Sequence, residues 1–80
     1  MSMNYNEEEK EYLKKIGHRI RIFRIDAGLS QEKLGFACDL DRTYIGSVER
    51  GERNISVLNL LNISEALKLR PEDLLNIKNE

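Results

Sequence analysis

One cysteine, one proline, no tryptophan and no long apolar run: each scarcity excludes something. Cys38 has no partner for an internal disulfide, and with a single histidine, His18, it cannot assemble a zinc site from the usual ligands. A nucleophile and its base would have to be drawn from the same two residues, which fall on different predicted helices with no glycine-rich loop beside either. No enzymatic activity, cofactor or metal is therefore expected. No stretch approaches the roughly 18 apolar residues of a membrane span, and the first ten residues are polar and acidic rather than basic and then apolar. A soluble cytoplasmic protein without a membrane partner is the expectation, since a lone thiol suits a reducing compartment.

What is present is a globular composition, 40% hydrophobic and 34% charged, in 80 residues. That length makes one domain, 1–80, with residues 1–6 expected to be disordered and a core near the limit of self-sufficiency. The net charge of −1 argues against a nucleic-acid partner, for which a basic footprint is expected. Its distribution argues otherwise. Residues 1–11 hold four Glu against one Lys, residues 12–70 hold eleven Lys or Arg against seven Asp or Glu, and residues 71–80 hold three acids against one Lys. The middle is basic, +4, between acidic ends of −3 and −2, although solvated helix faces also fluctuate by this much.

Glycines and capping residues divide the chain. Leu13, Ile16, Ile20, Phe23 and Ala27 recur at steps of three and four, predicting a helix over 7–27 that Gly28 closes in a left-handed conformation. Ser30 caps a short second helix, 31–38, and Asp39 follows where a left-handed residue is wanted. Asp41 caps a third, 42–50, with Ile45 and Val48 facing inward and Gly51 ending it. Ser56 caps a fourth, 57–68, on which Val57, Leu60, Leu61, Ser64 and Leu67 share a face. Pro71, Glu72 and Asp73 open a short fifth helix carrying Leu74, Leu75 and Ile77. No segment alternates with period two, so the fold is all-α, a five-helix domain.

Helices two and three, joined by three residues, have the spacing of a helix-turn-helix over about 31–50. Spacing alone is weak, because many bundles contain short helices and short turns. The outer side of the third helix adds to it: Arg42, Thr43, Gly46, Ser47 and Arg50 remain once Ile45 and Val48 face in, and Arg42 and Thr43 would lead into a groove. Arg42 can donate two parallel hydrogen bonds to guanine, and Thr43 can offer a methyl to thymine and a hydroxyl to a base or phosphate. Gly46 fits either close approach to DNA or close packing. Gln31, Tyr44, Arg50, Arg53, Asn54 and Ser56 surround this helix as phosphate-contact candidates. Asn54 and Ser56 serve equally as a turn former and an N-cap, and the two arginines as solvated surface charges.

These residues reach a known family. Residues 16–75 resemble the Cro and phage-repressor type helix-turn-helix domain, through IGHRIRIFRIDAGLSQEKL (16–34), CDLDRTYIGSVERGERNIS (38–56), the fourth-helix pattern and LKLRPEDLL (67–75). Within it, DRTYIGSVERGERNIS looks most like the controller proteins of restriction-modification systems. The resemblance implies a lambda-repressor-like fold, base contacts from Arg42, Thr43 and Ser47, and phosphate contacts from Gln31, Tyr44, Arg53 and Asn54. It also implies a structural ion pair between Arg24 and Glu49 that joins the first helix to the third. Three positions depart from the family pattern. Gly35 replaces a usual alanine, which would leave the second helix more flexible but still able to pack closely; Lys33 leaves its capping box incomplete; and Lys68 replaces a glycine in a left-handed geometry.

Leu58, Leu69, Leu74, Leu75 and Ile77 exceed what a monomer of this size buries, so a homodimer through the last two helices is expected, with a pseudo-palindromic double-stranded DNA operator. Activation would add a contact with RNA polymerase, for which Glu49, Glu52 and Asp39 are unranked candidates. Alternatives are a phage or plasmid repressor, an autoregulating antitoxin, or a helical interaction adaptor that binds no DNA. Phe36, Ile22 and Ile25 fit no core stripe, and form either cover for neighbouring side chains or a small contact patch. Cys38 reads as core and His18 as surface.

Overall fold

The computed structural model describes residues 4–77, which form five helices and no strand: α1 (Glu7–Asp26), α2 (Gln31–Cys38), α3 (Arg42–Glu49), α4 (Val57–Ala66) and α5 (Pro71–Leu75). α1 to α4 each begin where a side chain satisfies a free amide. Asn6 Oδ1 accepts from the Glu9 N–H at 2.8 Å while Glu9 Oε1 accepts from the Asn6 N–H at 3.0 Å, a reciprocal capping box. Of the segment 1–6 expected to be disordered, 1–3 lie outside the described residues, while Asn6 starts α1. Ser30, Asp41 and Ser56 cap α2, α3 and α4 through hydrogen bonds of 2.7 to 3.1 Å from Lys33, Thr43 and Asn59. In α5, Pro71 takes the first turn and the Asp73 carboxylate accepts from the Arg70 N–H at 3.0 Å.

The ends are equally regular. After α1, Gly28 N–H donates to Ile25 and Leu29 N–H to Arg24; after α3, Gly51 and Glu52 donate to Val48 and Ser47; after α4, Lys68 and Leu69 donate to Glu65 and Ser64. This paired arrangement needs a left-handed residue, supplied by Gly28 at φ 75°, Gly51 at φ 77° and Lys68 at φ 58°. Asp39, at φ 58°, does the same service after α2. α3 and α4 stop one and two residues before their predicted ends, because Arg50 and Leu67 already act as caps.

Ile20, Leu34, Ile45, Ile63 and Leu74, one from each helix, are fully buried and form the centre of the core, with Cys38, Val48, Leu60 and Leu67 around them. The α4 stripe differs from the one predicted: Leu60, Ile63, Ser64 and Leu67 face in, while Val57 and Leu61 are exposed. Ala27 is exposed too, since α1 has ended before it. α3 lies against both α1 and α2, and α5 against both α1 and α4. Two glycines permit the closest approaches. A Cβ on Gly17 would overlap the Val48 carbonyl oxygen and stand 2.7 Å from that of Glu49, so α1 crosses α3 backbone to backbone. A Cβ on Gly35 would overlap the Leu40 carbonyl, so this glycine lets the turn pack closely back on α2, as expected of it. Among the described residues no helix is long and apolar enough to cross a membrane.

Candidate nucleic-acid interface

The leading end of α3 projects from the fold. Arg42 and Thr43 are exposed, and Asp41 fixes the first turn by accepting from the Thr43 N–H at 2.7 Å. The Arg42 guanidinium has no hydrogen bond or ion pair among the described residues. Beyond this end the helix turns inward: Ile45 to Glu49 are all buried. Ser47 is therefore removed from the base-reading set. It is 6% exposed and its hydroxyl donates to the Tyr44 carbonyl at 2.7 Å, because α3 is packed by two helices and buries more than the single stripe set by Ile45 and Val48. Gly46 is buried as well, and a Cβ there would stand 3.2 Å from Arg50 Nη1 and 3.3 Å from Gln31 Oε1. Its bareness accommodates those two polar side chains over the helix.

The tilt of α3 is fixed by a buried fork. Arg24 Nε donates to Glu49 Oε2 at 2.6 Å and Nη2 to Oε1 at 3.0 Å, while Nη1 donates to the Leu29 carbonyl at 2.8 Å. Gln31 Nε2 donates to the same Glu49 Oε1 at 3.1 Å, so the first residue of α2 joins the network. Bidentate geometry of this kind sets an angle as well as an attraction. Burial of Glu49 also removes it from the candidates for a contact with another protein.

The loop after α3 carries the remaining polar candidates, each held by a neighbour. Arg50 Nε and Nη2 donate to Glu52 at 2.9 and 3.1 Å. The shared hydrogen bond lowers the Glu52 carboxyl below its ordinary value and raises the guanidinium. The Arg53 guanidinium lies 5.6 Å from the centre of the Tyr44 ring. The Tyr44 hydroxyl in turn accepts from Asn59 Nδ2 at 3.0 Å. Asn54 Nδ2 donates to the Tyr5 hydroxyl at 3.2 Å. Ser56 Oγ accepts from the Asn59 N–H, which leaves its own proton to give. Arg50, Arg53, Asn54 and Ser56 are exposed, and Gln31 and Tyr44 half-buried. Sequence reasoning missed Tyr5, Asn59 and Gly17. The two polar contacts span 49 and 15 residues, and no local signal announces them.

Of the expected dimer residues, Leu58 and Leu75 are 71% and 49% exposed, and Leu69 and Ile77 half-buried. Leu74 is a correction: it is fully buried in the core, because α5 packs on α1 as well as α4. Exposed Val57 and Leu61 extend the apolar surface of α4 beside Leu58. Phe36 is 89% exposed on α2, and Ile22 and Ile25 are exposed on α1. Cys38 is buried, its thiol donates to the Leu34 carbonyl at 3.1 Å, and burial pushes its pKa up. His18 is exposed.

Comparison with known proteins agrees with this geometry. Residues 20–74 match the helix-turn-helix family. The chain is 51% identical over 61 residues to control protein C.BamHI of Bacillus amyloliquefaciens, covering 75% of each. It is 41% identical over 68 residues to control protein C.SmaI of Serratia marcescens, covering 81% of each. The crystal structure of the restriction-modification controller protein C.AhdI from Aeromonas hydrophila superposes with a TM-score of 0.76 at 50% identity, covering 78% of this chain and 94% of that one. The chain belongs to the helix-turn-helix family, in its group of restriction-modification control proteins.

Proposed function

We propose that the protein is a cytoplasmic, sequence-specific transcriptional regulator of restriction-modification genes, which binds a pseudo-palindromic operator as a homodimer. The observation that carries this reading is the exposed guanidinium of Arg42, unpartnered among the described residues, at the leading end of a helix whose angle is locked by the Arg24–Glu49 fork. Arg42 and Thr43 read base edges in the major groove. Gln31, Tyr44, Arg50, Arg53, Asn54 and Ser56 contact phosphates and set the register. For Arg50 this means exchanging the Glu52 carboxylate for a phosphate. Leu58, Leu75, Leu69 and Ile77 form the two-fold contact, which places the two reading helices about 34 Å apart. A contact with RNA polymerase, where the regulator activates, falls to exposed acids such as Asp39.

The test is selection of bound duplexes from a random pool, followed by titration of the winner at several salt concentrations. One consensus with two-fold symmetry is expected, bound more weakly as salt rises because phosphate neutralisation releases counterions. A pool that yields no enriched duplex overturns the reading in favour of an interaction adaptor.

A further inference from the structure

The polar segment before α1 is not absorbed by the function above, yet the structure ties it to the loop that carries Arg53 and Asn54. The Asn6–Glu9 capping box fixes how the chain enters α1, and this places the half-buried Tyr5 beside that loop. The Tyr5 hydroxyl accepts from Asn54 Nδ2 at 3.2 Å. Tyr5, Glu9, Tyr12, Leu13 and Asn54 line one shallow cleft of about 200 Å³. At the other end of the loop, a Cβ on Gly51 would stand 2.7 to 2.8 Å from Lys14 atoms, so α1 also supports the loop's start. Arg53 lies over Tyr44, and Tyr44 is held by Asn59. Two tyrosines from distant parts of the chain therefore hold the two adjacent polar side chains of this loop.

We infer that Tyr5 is a positioning residue of the DNA interface: its hydroxyl holds the Asn54 amide in place for a backbone phosphate. Asn54 has two N–H groups and gives one to Tyr5, which leaves the other for a phosphate oxygen. An exposed asparagine without such a hold would have to be ordered at the moment of binding, and pre-ordering it reduces that cost. Tyr5, which lies before α1, is thereby part of the DNA-binding surface. Because a phosphate contact carries no sequence information, Tyr5 raises affinity for operator and random DNA alike.

This inference rests on the proposed function, and a double-mutant cycle separates the two. Tyr5→Phe, Asn54→Ala and the double variant of the full chain are titrated against the selected operator and a random duplex, and their melting temperatures are measured. Tyr5→Phe is expected to weaken both duplexes by about twofold to tenfold, the cost of ordering one side chain on binding, without moving the melting temperature. In the Asn54→Ala background the same change is expected to cost nothing further. Tyr5→Phe binding as tightly as the parent, or more tightly, overturns the inference. So do equal losses in both backgrounds, or a melting temperature that falls in step with affinity. Each of these outcomes leaves the proposed function standing, whereas a parent protein that binds neither duplex removes both.

Discussion

Glu49→Ala isolates the fork that sets the angle of α3. Glu49 accepts two hydrogen bonds from Arg24 and one from Gln31, and its side chain is 2% exposed against 9% for that of Arg24. Truncation leaves the guanidinium buried with only the Leu29 carbonyl as partner. Removing one member of a buried pair costs roughly 3–5 kcal/mol, because the stranded charge is neither paired nor hydrated. A domain of this length holds about 4–12 kcal/mol in total, so the variant should be largely unfolded or melt at least about 12 °C below the parent. Thermal melting by circular dichroism and a urea titration measure this.

The control is the double variant Arg24→Met with Glu49→Leu. Buried pairs replaced by apolar residues of similar volume are often neutral or stabilising by about 1–4 kcal/mol, so the double variant should melt near or above the parent. It should still bind the operator less tightly, because the bidentate fork no longer fixes the angle of α3 and Gln31 loses its acceptor. Glu49→Ala melting within about 5 °C of the parent, or a double variant as unstable as the single one, would refute the assignment of the cost to a stranded charge.

Gly17→Ala should destabilise by about 1–3 kcal/mol despite alanine's higher helix propensity, since the added methyl meets backbone of α3 that cannot yield; a urea midpoint at or above the parent's would contradict this. Lys68→Gly should stabilise by about 1 kcal/mol, because lysine at φ 58° bears a steric cost that glycine lacks, and the melting temperature reports it. Arg42→Ala should cost about 1–3 kcal/mol on the operator and relax preference at one guanine, whereas Arg53→Ala should weaken all duplexes alike; equal losses on operator and random DNA for Arg42→Ala would remove its base-reading role. Burial raises the folded pKa of Cys38 above the ordinary thiol value of 9.0, so the unfolded chain ionises first. The contribution of Cys38 is then full below that value and declines as pH rises through it toward the folded one. Between about pH 8 and pH 10 the stability of the parent should fall more steeply than that of Cys38→Ala, measured by urea midpoints.

Local chemistry made most of the fold readable. Ser30, Asp41 and Ser56 announce helix starts, and Gly28, Asp39 and Gly51 mark left-handed exits, because capping and steric rules act within a few residues, whereas the left-handed Lys68 is legible only through the family resemblance. What depends on how many neighbours a helix has was not readable. A single inward stripe on α3 leaves Ser47 outside, and an apolar excess over what a monomer buries sends Leu74 to a dimer contact, yet α3 and α5 each pack against two other helices. Ile63, three residues from Leu60 and four from Leu67, has the same helical spacing as Leu61, and the sequence alone does not choose between them. The Arg24–Glu49 pairing came through the family resemblance, since nothing in spacing selects one arginine and one glutamate 25 residues apart. Tyr5 with Asn54, and Tyr44 with Asn59, are fixed only once the helices have been packed.

The net charge of −1 and the pI near 5.9 looked like the strongest objection to a DNA partner, and the placement of the acids weakens it. Glu49 is consumed in the core by Arg24, Asp41 caps α3, and Glu72 pairs with Arg70 at 2.9 Å. Glu52 is the acid set against a candidate phosphate-contacting group, and it holds Arg50 in an exposed pair that solvent and salt weaken readily. Among the described residues Arg42 makes no ion pair, although Glu32, Asp39 and Asp41 line the same cleft, and Arg53 rests on an aromatic face while its charge also helps hold the Glu52 carboxyl down. Of the N-terminal acids, Glu9 lines the same cleft as Asn54, while at physiological salt the repulsion of exposed acids farther away decays over about 8 Å. Formal charge summed over the chain therefore says little about the affinity of one edge of it; the variable that matters is which cations remain without a carboxylate where a duplex would lie.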